Sequence, residues 1–240
     1  MNPLVLLVAA ALGSQPQPLV ERRLVFDRLA GKTLEGVLFA TPESTPPATG
    51  YALNLVEGTA SHLLADQVGA AAFAPDGVVL AVRERDLVEL KAGHVRVLLR
   101  DVLPEIALDR SGRFLAVVRP AQGGSAVDLF DRQEGRVVRR LVAGPGINNA
   151  PLFSPDGGAL LFVSTRTGLS SLFRVEVDGR GERQLTNLGQ RRVGPLFVPP
   201  MDRAGERRFD AGRLIFVAGT DRWSVDVQTG AARRVEGGAR

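Results

Sequence analysis

From Ala150 to Asn187 the chain reads APLFSPDGGALLFVSTRTGLSSLFRVEVDGRGERQLTN, and its turn residues divide it into four short strands. Phe153 closes a first apolar strand, and Ser154-Pro155-Asp156-Gly157 turns the chain. Pro155 presets its own φ, Asp156 hydrogen-bonds its own backbone, and Gly157 takes a positive φ that costs another residue about 1–2 kcal/mol. Ala159 to Val163 is then unbroken apolar sequence, the pattern of a strand covered on both faces. Leu172 to Val177 alternates Leu, Arg and Glu with Phe, Val and Val, which predicts a half-buried strand, and Asp178-Gly179 turns it into Glu182 to Thr186.

Looser copies of this unit fill the rest of the chain. A glycine stands before the last strand of each: Gly58, Gly93, Gly135, Gly179 and Gly230, spaced by 35, 42, 44 and 51 residues. An independent register comes from the first turn, where FAPDG (Phe73 to Gly77), LDRSG (Leu108 to Gly112) and FSPDG (Phe153 to Gly157) each precede an apolar strand. Asp76, Gly77, Gly112, Asp156, Gly157 and Gly179 are therefore read as structural turn residues. The outer units depart from the pattern. The first is read as a strand ending Phe26-Asp27-Arg28, a longer loop, and Gly36 to Ala40; the fifth as Gly194 to Val198, a long loop, and Leu214 to Ala218.

A four-stranded unit recurring every ~40–45 residues describes a propeller blade. The expectation is an all-β propeller of about five four-stranded blades, with repeats near 22–66, 67–100, 101–143, 149–187 and 193–236. A lone unit leaves one face of its sheet uncovered, so 22–240 should behave as one domain. A sandwich or barrel is the alternative, and the closure of the ring is left open.

With no cysteine in the chain, disulfides, thiolate metal sites and cysteine nucleophiles are excluded. Arg outnumbers Lys 28 to 2, yet the formal net charge is only +4 and the basic residues sit beside acids. Stacking aromatics are few, so nucleic acid is not an expected partner. Leu4 to Leu12 is an apolar run followed by small residues, which reads as a signal peptide over 1–13 with a flexible segment over 14–21. The run is too short to cross a bilayer, which takes about 20 residues, so no stable membrane span is expected after cleavage.

The motif P-x-F-S-P-D-G, an apolar strand, Ser164-x-Arg166-x-Gly168, Val177-Asp178-Gly179 and Arg183-Gln184-Leu185-Thr186 resembles a TolB-type propeller repeat, related in shape to WD-repeat blades. The resemblance is specific over Ala150 to Asn187, partial at Phe73 and Leu108, and faint at both ends. It implies an exported bacterial protein, periplasmic or secreted, whose propeller is a non-catalytic scaffold for a protein partner in the cell envelope or outside the cell. The alternative is an enzyme, or an accessory subunit of a hydrolase, with a site at the propeller's central mouth.

The residues themselves argue for no catalytic set, no cofactor and no metal. His62 and His94 fall in proposed outer strands, and there is no G-x-S-x-G or H-E-x-x-H. The acidic pairs Asp128 with Asp131 and Glu176 with Asp178 fall short of the six or more oxygens that calcium takes. The most unusual stretch is Pro199 to Gly212 (PPMDRAGERRFDAG), read as a long loop. Its Arg203, Arg207, Arg208 and Phe209, with Arg191 and Arg192 before it, are the candidate partner-binding residues.

Overall fold

The computed structural model describes residues 22–28, 51–57, 59–91, 93–188, 208–218 and 221–235, and every regular element among them is a strand. The expected leader, Gly36 to Ala40 and Gly194 to Val198 lie outside the described residues. The first sheet has six strands in chain order: β1 (Arg22–Arg28), β2 (Tyr51–Glu57), β3 (Ala60–Phe73), β4 (Val79–Arg83), β5 (Asp86–Lys91) and β6 (His94–Arg100). Three four-stranded sheets follow. They comprise β7 (Ile106–Leu108), β8 (Phe114–Ala121), β9 (Gly124–Asp131) and β10 (Arg136–Val142); β11 (Asn148–Phe153), β12 (Ala159–Ser164), β13 (Ser171–Glu176) and β14 (Arg183–Gln184); and β15 (Arg208–Asp210), β16 (Arg213–Ala218), β17 (Asp221–Asp226) and β18 (Ala232–Arg234). All paired neighbours are antiparallel, so the architecture is all-β and meandering throughout.

The six-stranded sheet arises because β3 serves two units. Its first half pairs with β2 from Glu57↔Ala60 to Tyr51↔Val68, and its second half pairs with β4 from Val68↔Arg83 to Phe73↔Val79, so that Val68 is shared by both. Where the halves meet, Gln67 turns the strand at φ 56, and its carbonyl accepts the Glu84 N–H at 3.0 Å. Sequence reading separates these as two strands. Gly69, close by Gln67, makes no turn: a Cβ there would lie 2.3 Å from Pro104 Cβ, so this glycine serves a close approach.

The two outer units also correct the sequence reading. β1 pairs directly with β2, from Arg22↔Glu57 to Arg28↔Tyr51, and so takes the place expected of Gly36 to Ala40. In the fifth unit the strand paired with β16 is β15, drawn from the stretch read as loop. Ala211 and Gly212 have φ 45 and 77, two consecutive positive values that close a tight hairpin with Asp210 opposite Arg213.

Four apolar clusters lie between five successive units, and each draws alternate residues from two neighbours. Tyr51, Leu53, Val68 and Val79 join units one and two; Leu80, Val82, Leu115 and Phe130 join two and three. Leu160 and Phe162 face unit three beside Val127 and Leu129, while Leu161 and Val163 face unit five beside Leu214 and Phe216. This is the spoke logic of a propeller: the period-two pattern of each central strand feeds two different cores. It also buries more of β13 than its alternation predicts. Arg174 is only 4% exposed, because the interior blade is covered on both faces, and its guanidinium pairs with Glu176 at 2.8 Å.

Candidate functional site

Antiparallel alternation puts the first and third turns of each unit at one end of its sheet. At that end the predicted turn residues make one recurring structure. Gly77 N–H donates to Ala74 O at 2.9 Å, Gly112 N–H to Asp109 O at 3.0 Å and Gly157 N–H to Ser154 O at 2.8 Å, with φ of 80, 75 and 73 at the three glycines. The supporting side chains trade places. Asp156 Oδ1 accepts from Gly158 N–H and the Ser154 hydroxyl, whereas at Leu108 to Gly112 the acid comes first and Asp109 accepts from Ser111 and from Phe114 N–H at 2.8 Å. The Ser154 hydroxyl and Gly158 N–H hold the Asp156 carboxyl below the ordinary carboxylate range.

Asp76 does more than form its own turn. Its Oδ1 accepts Val78 N–H at 3.2 Å, while Oδ2 takes the Arg132 guanidinium at 3.0 Å from the next unit, and Arg132 also donates to Gly112 O. Burial raises the Asp76 pKa, but the Val78 N–H and Arg132 outweigh it and hold the carboxyl below its ordinary value. Nothing local in the sequence marks Arg132, 56 residues from its partner. Gly179 turns at φ 82 with its N–H on Glu176 O, in the place that Gly135 and Gly230 take in their units.

The opposite end carries the second-to-third-strand hairpins and the connections between units, and there a buried polar junction ties units three and four. Asn148 is fully buried at the start of β11. Its backbone exchanges hydrogen bonds with the Ser125 hydroxyl at 2.7 and 2.8 Å, and its side-chain amide donates to Ser125 O. Asn148 Oδ1 accepts from Ser164 at 2.7 Å and from Arg166 at 2.8 Å. Arg166 lies 5.5 Å over the Phe162 ring and 5.1 Å over Phe173, and pairs with Glu182. Beneath this network Gly124 and Gly146 bridge so closely that a Cβ on Gly124 would lie 1.9 Å from Gly146 O. Two residues beyond Asn148, Ala150 sits at φ 53 with its N–H on the Glu105 carboxylate. A non-glycine in this region stores strain, held here by a charged acceptor.

Every hydroxyl in that junction is engaged with an amide, a carbonyl or a guanidinium, an arrangement that sets register and activates no nucleophile. His62 and His94 are exposed on outer strands. Of the acidic pairs, Asp128 is buried between Arg140 at 2.9 Å and Arg119 at 3.5 Å, and Asp131 accepts Arg113 at 2.6 Å plus the N–H groups of Gln133 and Glu134. Arg113 in turn holds the Asp131 carboxyl below its ordinary range against the cost of desolvation, with help from those N–H groups. Glu176 pairs with Arg174, and Asp178 accepts Arg180 N–H at 2.9 Å. No group of three or more His, Cys, Asp or Glu gathers at metal-binding range among the described residues.

The candidate partner-binding residues are not brought together within the described part of the chain. Arg191, Arg192, Arg203 and Arg207 lie outside the described residues, and Arg208 opens β15. Phe209 is partly buried against the core shared by units four and five, beside Trp223 and Leu152. Sequence reading missed Asn148, Ser125, Gly124 and Gly146, whose only signal is glycine and small polar residues where no turn type demands them.

No family model matches the chain. Over 73 residues, 30% of this chain, it is 40% identical to the Tol-Pal system protein TolB of Gluconobacter oxydans, of which the match covers 16%. Its fold is similar to TolB from Acinetobacter baumannii, with TM-score 0.57 and 17% identity over 77% of this chain and 48% of that one. It is similar also to an oligogalacturonate lyase solved with manganese, with TM-score 0.59 and 12% identity over 90% of this chain and 73% of that one. The chain thus spans less than half the length of either TolB protein. The chain is thus similar to TolB in sequence over 30% of its length, and over 77% of it has a TolB-like, β-propeller-like fold.

Proposed function

We propose that this chain is a non-catalytic, exported propeller that holds a protein partner in the bacterial envelope or outside the cell. The observation that carries this reading is the 40% identity to a Tol-Pal system protein, a likeness of sequence and not only of fold. The chemistry of the described residues suits it. Carboxylates at the blade ends are committed to turns and to arginines, which makes a rigid disc and leaves recognition to what the disc displays. The likeness to oligogalacturonate lyase, at 12% identity, speaks for the fold alone.

In this reading the partner is met by Arg191, Arg192, Arg203 and Arg207, which precede β15, with Arg208 at its start. Phe209 supports them from the blade interface. The test is capture of partners from the source organism's envelope by the purified chain, read by mass spectrometry, with an Arg203→Glu/Arg207→Glu variant beside it. One envelope protein held by the wild type and lost by the variant is the expected result. Equal capture by both removes these arginines from the interface, and a wild type that captures nothing removes the scaffold reading.

A further inference from the structure

The outermost strands of the sheets end in different ways. β14 is two residues long and β18 three, and β10, though seven long, slips register twice and stands its Arg136, Arg139 and Arg140 in solvent. Shortness, bulges and exposed cations each blunt an edge whose unpaired N–H and C=O groups would otherwise accept a foreign strand. β6 shares part of this protection, with Arg96 and Arg100 exposed, but it is not short, and it alone adds exposed apolar side chains to its edge. It is the last strand of the six-stranded sheet, seven residues long, and slips register once, between Leu87 and Val88, against twice in β10, which leaves one continuous register from Lys91↔His94 to Val88↔Val97. Val95 and Val97, on one face of it, are 50% and 46% exposed. Among the described residues only Leu63 joins them as an exposed large apolar side chain.

The other side chains of β6 state what charge suits the edge. The strand holds His94, Arg96 and Arg100 and no acid. Arg96 stands on the face opposite the valines with 65% of its side chain exposed; one N–H reaches Glu89 at 2.9 Å. Arg100 is 79% exposed and only loosely paired, 3.7 Å from Asp86.

We propose that β6 is a docking edge for an extended segment of a partner protein in which apolar residues alternate with acidic ones. Main-chain hydrogen bonds continue the sheet, the apolar residues cover Val95 and Val97, and an acid meets Arg96. A second copy of this chain fits less well. In an antiparallel self-pairing, the register that sets each Val95 against the other chain's Val97 also sets Arg96 against Arg96, a like-charge contact that disfavours it. The proposal rests on the scaffold reading insofar as the partner is a protein, but it uses different residues from those before β15.

The probe is a labelled peptide of about eight residues, the usual length of a paired strand, in which Val and Glu alternate. A second peptide carries Lys in place of Glu. By fluorescence anisotropy the full chain should bind the acidic peptide and not the basic one, and Val95→Lys/Val97→Lys should weaken binding by about tenfold or more. Arg96→Glu should reverse the preference. Val95 and Val97 are exposed, so the unfolding midpoint of the double-lysine variant should match the wild type, and hydrogen exchange on the unmutated chain should show peptide-dependent protection of the β6 amides. The proposal is overturned by no binding of the acidic peptide, by equal binding to the double-lysine variant, or by protection elsewhere. Self-association in sedimentation velocity that the lysines abolish, without peptide binding, assigns the edge to a second copy instead. None of these results alters the envelope-capture outcome, so the two readings fail separately.

Discussion

Gly124→Ala isolates what holds units three and four in contact. A Cβ at this position would stand 1.9 Å from Gly146 O and 2.5 Å from its carbonyl carbon, both backbone atoms that no rotamer change can move. The residue also sits at φ 155, a conformation that L side chains rarely adopt. Opening the bridge gives up Gly146 N–H to Gly123 O at 3.0 Å and Ser125 N–H to Gly146 O at 3.2 Å. Two backbone hydrogen bonds at ~1 kcal/mol each and a backbone strain of ~2 kcal/mol together predict a loss of about 4 kcal/mol. For a domain of this size that lowers Tm by about 8–16 °C. Gly135→Ala is the control within the same unit: φ is 66, but nothing lies within 4 Å of its Cβ. It should cost only the local strain, about 1 kcal/mol, or roughly 2–4 °C. Urea unfolding followed by far-UV circular dichroism gives both numbers. If Gly124→Ala is no worse than Gly135→Ala, the close approach does not hold the blades, and the polar junction built on it loses its support.

Three further outcomes test the architecture. Phe162→Ala removes a fully buried ring stacked on Phe173 at 5.6 Å, and equilibrium unfolding should show a loss of about 3–5 kcal/mol; less than about 1 kcal/mol means that β12 is not interior. Gly179→Val forces a β-branched residue to φ 82 with its Cβ 3.4 Å from Arg139 Cδ, and a cost of about 2 kcal/mol is expected, whereas a neutral result in the same assay discards this turn geometry. Asp156, Asp131 and Asp226 all have folded pKa values below the ordinary 3.8, so what they contribute to stability is complete above that value and fades as pH falls below it toward the depressed folded pKa values. Urea midpoints should therefore drop on acidification, and less steeply for Asp156→Asn; an unchanged acid slope in the variant refutes the role given to that carboxylate.

The legible part of this protein is its punctuation. Pro155-Asp156-Gly157 and Asp178-Gly179 specify their turns within a few residues, and the same grammar at Gly77, Gly112, Gly135 and Gly230 placed the strands around them. The fifth unit was misread because Pro199 to Gly212 carries proline and glycine enough for a loop, while the hairpin it contains rests on the positive φ of Ala211, which no residue preference announces. Of the candidate site, Arg208 and Phe209 proved to be strand residues. The polar junction went unseen because Ser125 and Asn148 are 23 residues apart and look like ordinary loop chemistry.

The linear chain thus determined that one strand-and-turn unit recurs along it, where the turns of the middle units fall, and that Ala159 to Val163 is apolar on both faces, since those properties depend on neighbours a few bonds away. Contacts between units decided the rest: that β3 runs unbroken through two of them, that Arg174 is covered, that Asp76 answers to Arg132, and that Gly124 meets Gly146. These follow from the packing of one sheet on the next, which brings together residues whose separation along the chain carries no trace of their proximity in space.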